Sequence, residues 1–339
     1  MNIRENLNKD YRGRLAAIQK LKEWKVSRAD MYLPTHHIEN TLKKHQPQLV
    51  FLDTQEGIEL VATAIAKGNP VVTDYGATYG TAFSLNIRQE VAEIRKEQEP
   101  LAIVSLVCSK RDALSWMDTS RMHPEIVASI YNQQECSNLD VIEGIAFIRF
   151  PCTDEAKEEL GSYYVNQDRE VQVFMVDNDP LMDYLSQQFD IHYIAVRSSN
   201  ITGRPEEPFK NGAEVYASEI GAPIIAVRSK AALQAQLDDE AVVSTSEIAE
   251  NLRRQRVGSQ PILVFKTENG EPVVELARAG NTTPETMHRL LRDFLRDTIQ
   301  FNYHEEKIAG HKRKMFDVNP AVTDPAEIKK IILKASLIT

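Results

Sequence analysis

The sequence predicts a mixed α/β protein in which one central domain lies between two helical extensions. Short apolar runs typical of buried strands alternate with helical segments from residue 49 onward. The spacing of the strands is irregular and a clear hairpin occurs near residue 270, which favours a mixed sheet over a regular parallel one. We therefore divide the chain into a helical extension (1–48), the central domain (49–290), and a C-terminal helix and tail (291–339).

The elements follow from local patterns. In the first extension Leu15, Ile18 and Leu21 recur at helical spacing, and Pro34 ends the run. The helix expected at 56–67 stops at Gly68, a usual C-terminal position. The predicted strands are 49–52, 70–73, 101–108, 141–150, 171–176, 191–196 and 223–227, and the other predicted helices are 89–96, 111–117, 124–134, 181–189 and 247–254.

The last third of the chain has its own signals. Strands 261–266 and 272–278 form a hairpin because Asn269-Gly270 favours a tight turn. Thr283 and Pro284 open a long helix that extends to about residue 300. The apolar segment 328–337 favours docking on the central domain over a free tail.

Charge is distributed unevenly along the chain. The net charge is −9, yet residues 1–49 carry ten Lys and Arg against five Asp and Glu, and residues 291–339 carry nine against seven. The middle of the chain is therefore strongly acidic and a poor general surface for polyanions. If the protein binds RNA, the basic extensions or one basic cleft would have to make the contact. The basic residues of the first extension are also explained as the solvent-exposed face of a helix.

The composition also indicates the cellular compartment in which we expect the protein. The longest apolar run is far shorter than the ~20 residues that span a bilayer, and the N-terminus has no signal-peptide core. Three widely spaced Cys suit a reducing compartment. We expect a cytoplasmic protein with no membrane partner. The scattered His and Cys predict no metal site.

Two polar turns that directly follow predicted strands are the best candidates for a ligand site. They run from Thr73 to Gly80 and from Arg197 to Gly203. Loops at strand ends commonly build such sites in α/β sheets. Ser198 and Asn200 offer a hydroxyl and an amide for ribose or phosphate oxygens, and Arg197 adds a cation. A plain turn before a helix explains the same residues equally well.

The turn at 197–203 resembles the Ser-x-Asn-x-Ser-Gly turn of the YrdC-like family, the threonylcarbamoyl-adenylate synthases. Residues 171–189 are similar to that family's strand, Pro-containing turn and helix, and 59–80 to its opening helix, strand and Tyr-Gly loop. Residues 93–101 stand in the place of its Lys-x-Arg-Pro segment, and 270–280 resemble its closing hairpin. The resemblance covers about residues 50–290 in the family's order.

The resemblance implies an open twisted mixed sheet with a large concave cleft. It also implies a nucleotidyltransferase reaction in which ATP, as a magnesium complex, bicarbonate and an amino acid, threonine first, form a threonylcarbamoyl-adenylate used in tRNA modification. No resident metal is implied. The implied catalytic residue is Lys96. The implied nucleotide- and anion-binding residues are Arg95, Arg197, Ser198, Asn200 and Arg278, and the implied substrate loop contains Thr73, Thr78 and Tyr79.

The sequence departs from the family pattern where that pattern places cations. Gln98 stands in place of the Arg of Lys-x-Arg, Met175 in place of the strand Arg, and Asp177 in place of the following Pro. A further departure is Pro261-Ile262 for Ser-Thr. If Tyr79-Gly80 anchors the first loop, Tyr75 and Ala77 replace its paired Thr; alternatively, Thr73 is the first of these Thr and the loop is two residues longer. Each bidentate Arg–phosphate contact contributes roughly 1.5–3 kcal/mol. Arg95 and Arg197 are the candidates that would compensate.

Three hypotheses about function remain. In the first, the chain is an ATP-using enzyme that forms a carbamoyl- or threonylcarbamoyl-adenylate. In the second, the cleft persists without the chemistry, and the chain is a catalytically degenerate nucleotide- or RNA-binding protein. In the third, the altered site activates a different small acid in specialised metabolism.

Overall fold

The computed structural model describes residues 47–74, 79–84, 104–131, 138–161, 164–198, 213–214, 217–218, 220–234, 260–280, 282–303 and 318–338. The helices expected before residue 47, at 89–96 and at 247–254 lie outside these ranges. The strands are β1 (Gln48–Phe51), β2 (Val71–Asp74), β3 (Tyr79–Phe83), β4 (Ser105–Cys108), β5 (Phe147–Pro151), β6 (Glu170–Met175), β7 (Tyr193–Ser198), β8 (Ile224–Val227), β9 (Ile262–Glu268), β10 (Glu271–Arg278) and β11 (Gln300–Tyr303). The helices are α1 (Gln55–Ala66), α2 (Lys110–Trp116), α3 (Pro124–Ile130), α4 (Asp154–Leu160), α5 (Pro180–Phe189), α6 (Pro284–Leu290), α7 (Arg292–Leu295) and α8 (Pro325–Ile338).

All of these strands form one mixed sheet. Its order is β1-β8-β2-β3-β7-β4-β6-β5-β9-β10-β11, so β1 and β11 are its two edges. The pairs β1–β8, β8–β2, β4–β6, β5–β9 and β10–β11 are parallel, and the other neighbours are antiparallel. The prediction of a mixed α/β fold with a mixed sheet is confirmed.

Helices cover both faces of the sheet. On the face that we call the front, α1 and α5 pack on Val71, Val107, Phe174 and Val196. On the back face, α2, α3, α4, α6, α7 and α8 bury an apolar cluster that includes Leu106 of β4. Strands β4, β6 and β7 contribute to both apolar clusters because successive side chains of a strand point to opposite faces.

Local sequence explains the ends of several elements. Thr54 caps α1 by accepting a hydrogen bond from the backbone N–H of Gly57. The hairpin between β9 and β10 turns at Asn269 and Gly270, whose φ angles of 54° and 86° are those of a tight left-handed turn. The expected Asn-Gly hairpin is therefore confirmed.

The structure corrects other expectations. The long helix expected from Thr283 to residue 300 is divided into α6 and α7 and is followed by β11, which adds to the sheet beyond residue 290. The strand expected at 141–150 starts only at Phe147, after a 3-10 turn at Asn138–Val141. Strand β3 and helix α4 were not predicted.

The C-terminal helix α8 docks as its apolar pattern predicts. Ile328 and Ile332 are buried in the back-face cluster. The Lys329 Nζ donates a hydrogen bond to the backbone oxygen of Asp140, which lies in the 3-10 turn. Within the described ranges, no helix is long and apolar enough to cross a membrane.

Candidate functional site

The strands that flank the two turns predicted from the sequence, β2, β3 and β7, are consecutive in the sheet. Thr73 of β2 pairs with Gly80 of β3, and Gly80 pairs with Ser198 of β7. Adjacent strands are about 4.8 Å apart, so the three residues form one row across the sheet. We call this row and the strand ends beside it the turn edge. The intervening residues 75–78 and 199–212 lie outside the described part of the chain.

Strand alternation distributes the predicted side chains between two faces. Thr73 is buried on the front face, two residues beyond Val71. Tyr79 is 1% exposed and packs in an apolar cluster with Val72 on the back face. Arg197 is half-buried and pairs with Thr81, so it shares the back face with Tyr79. Arg197 is therefore on the opposite face of the sheet from Thr73.

An ion pair that the sequence did not suggest also lies at the turn edge. The Nε of Arg228 is 3.2 Å from the Oδ2 of Asp74, whose side chain is only 1% exposed. Asp74 ends β2 and Arg228 follows β8, and these two strands are parallel neighbours. The sequence feature that could have predicted this ion pair is Arg228, an Arg placed directly after a buried apolar strand.

A second polar feature crosses the front face. The Arg149 Nη2 donates a hydrogen bond to the Gln172 Oε1 at 2.8 Å, and the Gln172 Nε2 donates to the Ser105 Oγ at 2.6 Å. Arg149 pairs with Val264, which pairs with Glu275 of β10. We call Ser105, Gln172, Arg149 and Glu275 the polar row.

The charges of the polar row are mixed. The Lys266 Nζ is 2.7 Å from the Glu275 Oε2 and 3.1 Å from the Glu268 Oε2. The hydrogen bond to Glu275 raises the pKa of Lys266. Burial lowers the pKa of Arg149, although the carboxylates of Glu170 and Glu275 oppose that shift. The sequence feature that could have predicted the polar row is the presence of single polar residues, such as Gln172, inside otherwise apolar strands.

The polar row and Thr73 share the front face. Val71 pairs with Ala82, Ala82 with Val196, and Val196 with Ser105, so one row of the sheet leads from β2 to the polar row. Along this row the side chains change from apolar under α1 and α5 to polar at β4. Ser198 lies two residues beyond Val196 in the sequence of β7.

The structure places Arg278 far from the turn edge. Strand β10 is five strand spacings from β7, about 24 Å across the sheet. The Nε and Nη2 of Arg278 donate hydrogen bonds to the Gln260 backbone oxygen at 3.2 and 3.0 Å. Among the predicted site residues that the structure describes, Thr73, Tyr79, Arg197 and Ser198 therefore lie at the turn edge, and Arg278 lies far from it.

Met175 is in the core rather than at the turn edge. It is fully buried in the back-face cluster and pairs with Cys108, which also pairs with Tyr193 at the start of β7. Five residues of β7 separate that level from Ser198, about 17 Å along the strand. Met175 is therefore a core side chain at a different level of the sheet from the turn edge.

Asp177, which replaces the family's Pro, has a structural role. Its Oδ1 accepts a hydrogen bond from the Lys110 backbone N–H at 2.9 Å, and its Oδ2 is 3.6 Å from the Lys110 Nζ. Its own N–H donates to the Glu143 Oε1 at 2.8 Å. Asp177 thereby ties the end of β6 to the start of α2.

Several predicted residues stay predictions. Lys96, Arg95, Asn200 and Thr78 lie outside the described ranges. Cys108 and Cys152 are buried thiols, and burial raises the pKa of both. Among the residues that the structure describes, no group of three or more His, Cys, Asp or Glu is placed to hold a metal ion.

Comparison with known proteins shows similarity only at the level of structure. No protein-family model and no curated protein sequence matches the chain. P. abyssi Sua5 complexed with L-threonine is 15% identical with a TM-score of 0.43, and the match covers 74% of this chain and 60% of that one. The chain thus spans about three fifths of the length of that protein.

Two shorter proteins are matched over nearly their whole length. E. coli YciO is 11% identical with a TM-score of 0.44, and the match covers 74% of this chain and 100% of that one. A hypothetical protein from Streptococcus mutans is 15% identical with a TM-score of 0.49, covering 77% of this chain and 99% of that one. At these identities the likeness is one of overall fold.

Proposed function

We propose that the chain is a nucleotidyltransferase that forms a carbamoyl-adenylate from ATP, bicarbonate and an amino acid, with threonine as the first candidate. The observation that carries the proposal is the in-register row of Thr73, Gly80 and Ser198. It supports the proposal because the strand residues that flank the two turns resembling the YrdC-like family pair with one another across adjacent strands. Under this proposal the product serves tRNA modification.

The proposed reaction has two bond-forming steps. The amine of the amino acid attacks the carbon of bicarbonate, water leaves, and a carbamate forms. A carbamate oxygen then attacks the α-phosphorus of magnesium-bound ATP, the bond to the bridging oxygen breaks, and pyrophosphate leaves. The protein must hold several anions in line and keep water from the labile carbamate.

We assign roles to this chain's residues accordingly. Lys96 and Arg197 contact the phosphates or the carbamate, and Ser198 and Asn200 contact the nucleotide. Arg197 supports this assignment because its side chain is half-buried at the turn edge, on the face that also carries Tyr79, and has no hydrogen-bond or ion-pair partner among the described residues. Arg95 is a second cation beside Lys96 in sequence.

The test is pyrophosphate release by the full chain with magnesium-ATP, bicarbonate and threonine. Replacing Lys96→Ala should lower the rate at least about 100-fold, because removing a charged group from the transition state costs several kcal/mol. Lys330→Ala is the control, since Lys330 is exposed on α8. The absence of pyrophosphate release with every common amino acid would contradict the proposal.

The second candidate function is that of a binding protein that keeps the fold but does not catalyse the reaction. Met175 supports it. Its position carries Arg in the family pattern, yet here an apolar side chain fills the core. This candidate expects salt-dependent RNA binding that survives Lys96→Ala. Neutralising Arg12, Arg14, Lys312 and Arg313 should reduce the salt slope by about 3, at ~0.7 per single-strand phosphate contact. Binding that is insensitive to salt would exclude it.

A further inference from the structure

Arg149 is a half-buried guanidinium whose hydrogen-bonding capacity is mostly unused. It has five N–H groups, and the only acceptor it meets among the described residues is the Gln172 Oε1. Its Nε is buried and meets no acceptor in the part of the chain that the structure describes. A buried polar group without a partner is rare and commonly marks the position of a bound water or ion. The Arg149 guanidinium therefore has N–H donors that an oxygen ligand could engage.

Neighbouring side chains hold Arg149 in one place. Gln172 uses its amide oxygen on Arg149 and its amide nitrogen on the Ser105 Oγ, so both ends of the amide are engaged. Gln172 is 5% exposed and Ser105 is 8% exposed. This relay orients the guanidinium before any ligand arrives, which reduces the entropy lost on binding.

The charges around Arg149 limit the kind of anion that would bind. The carboxylates of Glu170 and Glu275 act on Arg149 electrostatically, but neither forms an ion pair with it within 4 Å. Lys266 is already engaged by Glu275 and Glu268. A polyphosphate would meet these carboxylates with several like charges, whereas a single carboxylate meets one guanidinium and leaves the surroundings nearly balanced.

We propose that Arg149 binds the carboxylate of a small ligand and that Gln172 and Ser105 are its positioning residues. The ligand class is a small carboxylic acid with a neutral or cationic remainder, because Glu170 and Glu275 oppose further negative charge. The assignment of this ligand as the amino-acid substrate rests on the proposed function. The resemblance to the YrdC-like family assigns Arg149 no role.

The test is calorimetry on the full chain with L-threonine, a mixture of the common amino acids, L-threoninamide and pyrophosphate. Threoninamide lacks the carboxylate and should bind wild type at least about tenfold more weakly than threonine. Arg149→Met should weaken threonine binding about tenfold to a hundredfold. Arg292→Met is the matched control, because Arg292 is an exposed Arg paired with its neighbour Asp293.

A second variant distinguishes a loss of threonine binding from a loss of the fold. Gln172→Glu keeps the size of the side chain and supplies an internal carboxylate to Arg149. It should retain the unfolding transition of wild type and weaken threonine binding as Arg149→Met does. Wild-type affinity in either variant, or no amino acid binding to wild type, would overturn the inference.

The outcomes separate this inference from the proposed function. Amino-acid binding through Arg149 without pyrophosphate release would sustain the inference and remove the enzyme. Pyrophosphate release at the wild-type rate by Arg149→Met would sustain the enzyme and overturn the inference. Pyrophosphate binding that depends on Arg149 would also overturn it, since the site would then prefer a polyanion.

Discussion

Asp179 shows how one residue both begins an element and carries an electrostatic cost. Its Oδ1 accepts hydrogen bonds from the backbone N–H groups of Leu181 and Met182, each at 3.0 Å, at the start of α5. Burial raises the pKa of Asp179 even though these hydrogen bonds lower it. The charged form is therefore less favoured in the folded protein than in the unfolded chain.

The raised pKa of Asp179 sets the sign of a pH effect. Its contribution to stability is fully present below the unfolded value of 3.8 and is lost as pH rises through the folded pKa. Asp179→Asn keeps an acceptor for the helix and removes the charge, so it should raise the free energy of unfolding at pH 7 by up to ~1 kcal/mol. Asp179→Ala, which loses the cap, should lower it by about 1 kcal/mol.

Urea unfolding at pH 4 and pH 7 checks this prediction. The difference in stability between Asp179→Asn and wild type should shrink at pH 4, where the wild-type carboxyl takes up its proton. An Asp179→Asn protein that is less stable than wild type at pH 7 would show that the charge itself stabilises the helix.

At the scale of elements, α8 illustrates why an apolar pattern near the end of the chain matters. Ile332 is 2% exposed in the back-face cluster, while Ile331 beside it is 37% exposed. Ile332→Ala removes buried methylene groups and leaves a cavity, so it should lower the free energy of unfolding by about 2–4 kcal/mol. Ile331→Ala is the matched control and should change it by less than about 1 kcal/mol.

The midpoint of urea unfolding, followed by far-UV circular dichroism, measures both variants. Equal effects from the two substitutions would mean that α8 does not dock on the back face in solution. The helix would then be a solvated tail, contrary to the burial of Ile328 and Ile332.

Other elements depend on partners that are distant in sequence. The helical signal that begins at Thr283 extends to about residue 300, yet the helices end at Leu295 and Gln300–Tyr303 forms β11, for which β10 is a parallel strand partner. Strand β3 is also short and follows a predicted polar turn, so its pattern alone did not distinguish it from a loop. Pairing on both sides, with β2 and β7, stabilises it.

At the scale of the whole molecule, the shared strands should couple the apolar clusters on the two faces of the sheet. Leu106 belongs to the back-face cluster and Val107 to the front-face cluster, although both lie on β4. Unfolding one cluster therefore removes packing from the other. We expect one cooperative unfolding transition.

Trp116 provides the second probe for that test. It is buried and its ring lies 5.1 Å from the ring of Tyr193 in an edge-on contact. In a Trp24→Phe variant, the fluorescence of Trp116 and the far-UV circular dichroism should change at the same urea concentration. Two separated transitions would mean that the front-face and back-face clusters unfold independently.

The sequence by itself determined the character of most elements and the mixed α/β class. Hydrophobic periodicity and capping residues act over a few neighbours, which is why α1, α5 and the hairpin at Asn269-Gly270 were predicted from local pattern. The sequence also identified two polar turns, which start at Thr73 and at Arg197, as candidates for a ligand site.

Only the tertiary structure decided which of these residues meet. The pairing of Gly80 with Ser198 joins strands more than 100 residues apart, and no local pattern encodes such a register. The same pairing directs Arg197 to the back face, and the strand order leaves Arg278 distant. The polar row around Arg149 exists because β4, β6 and β5 align single polar residues that look isolated in the sequence.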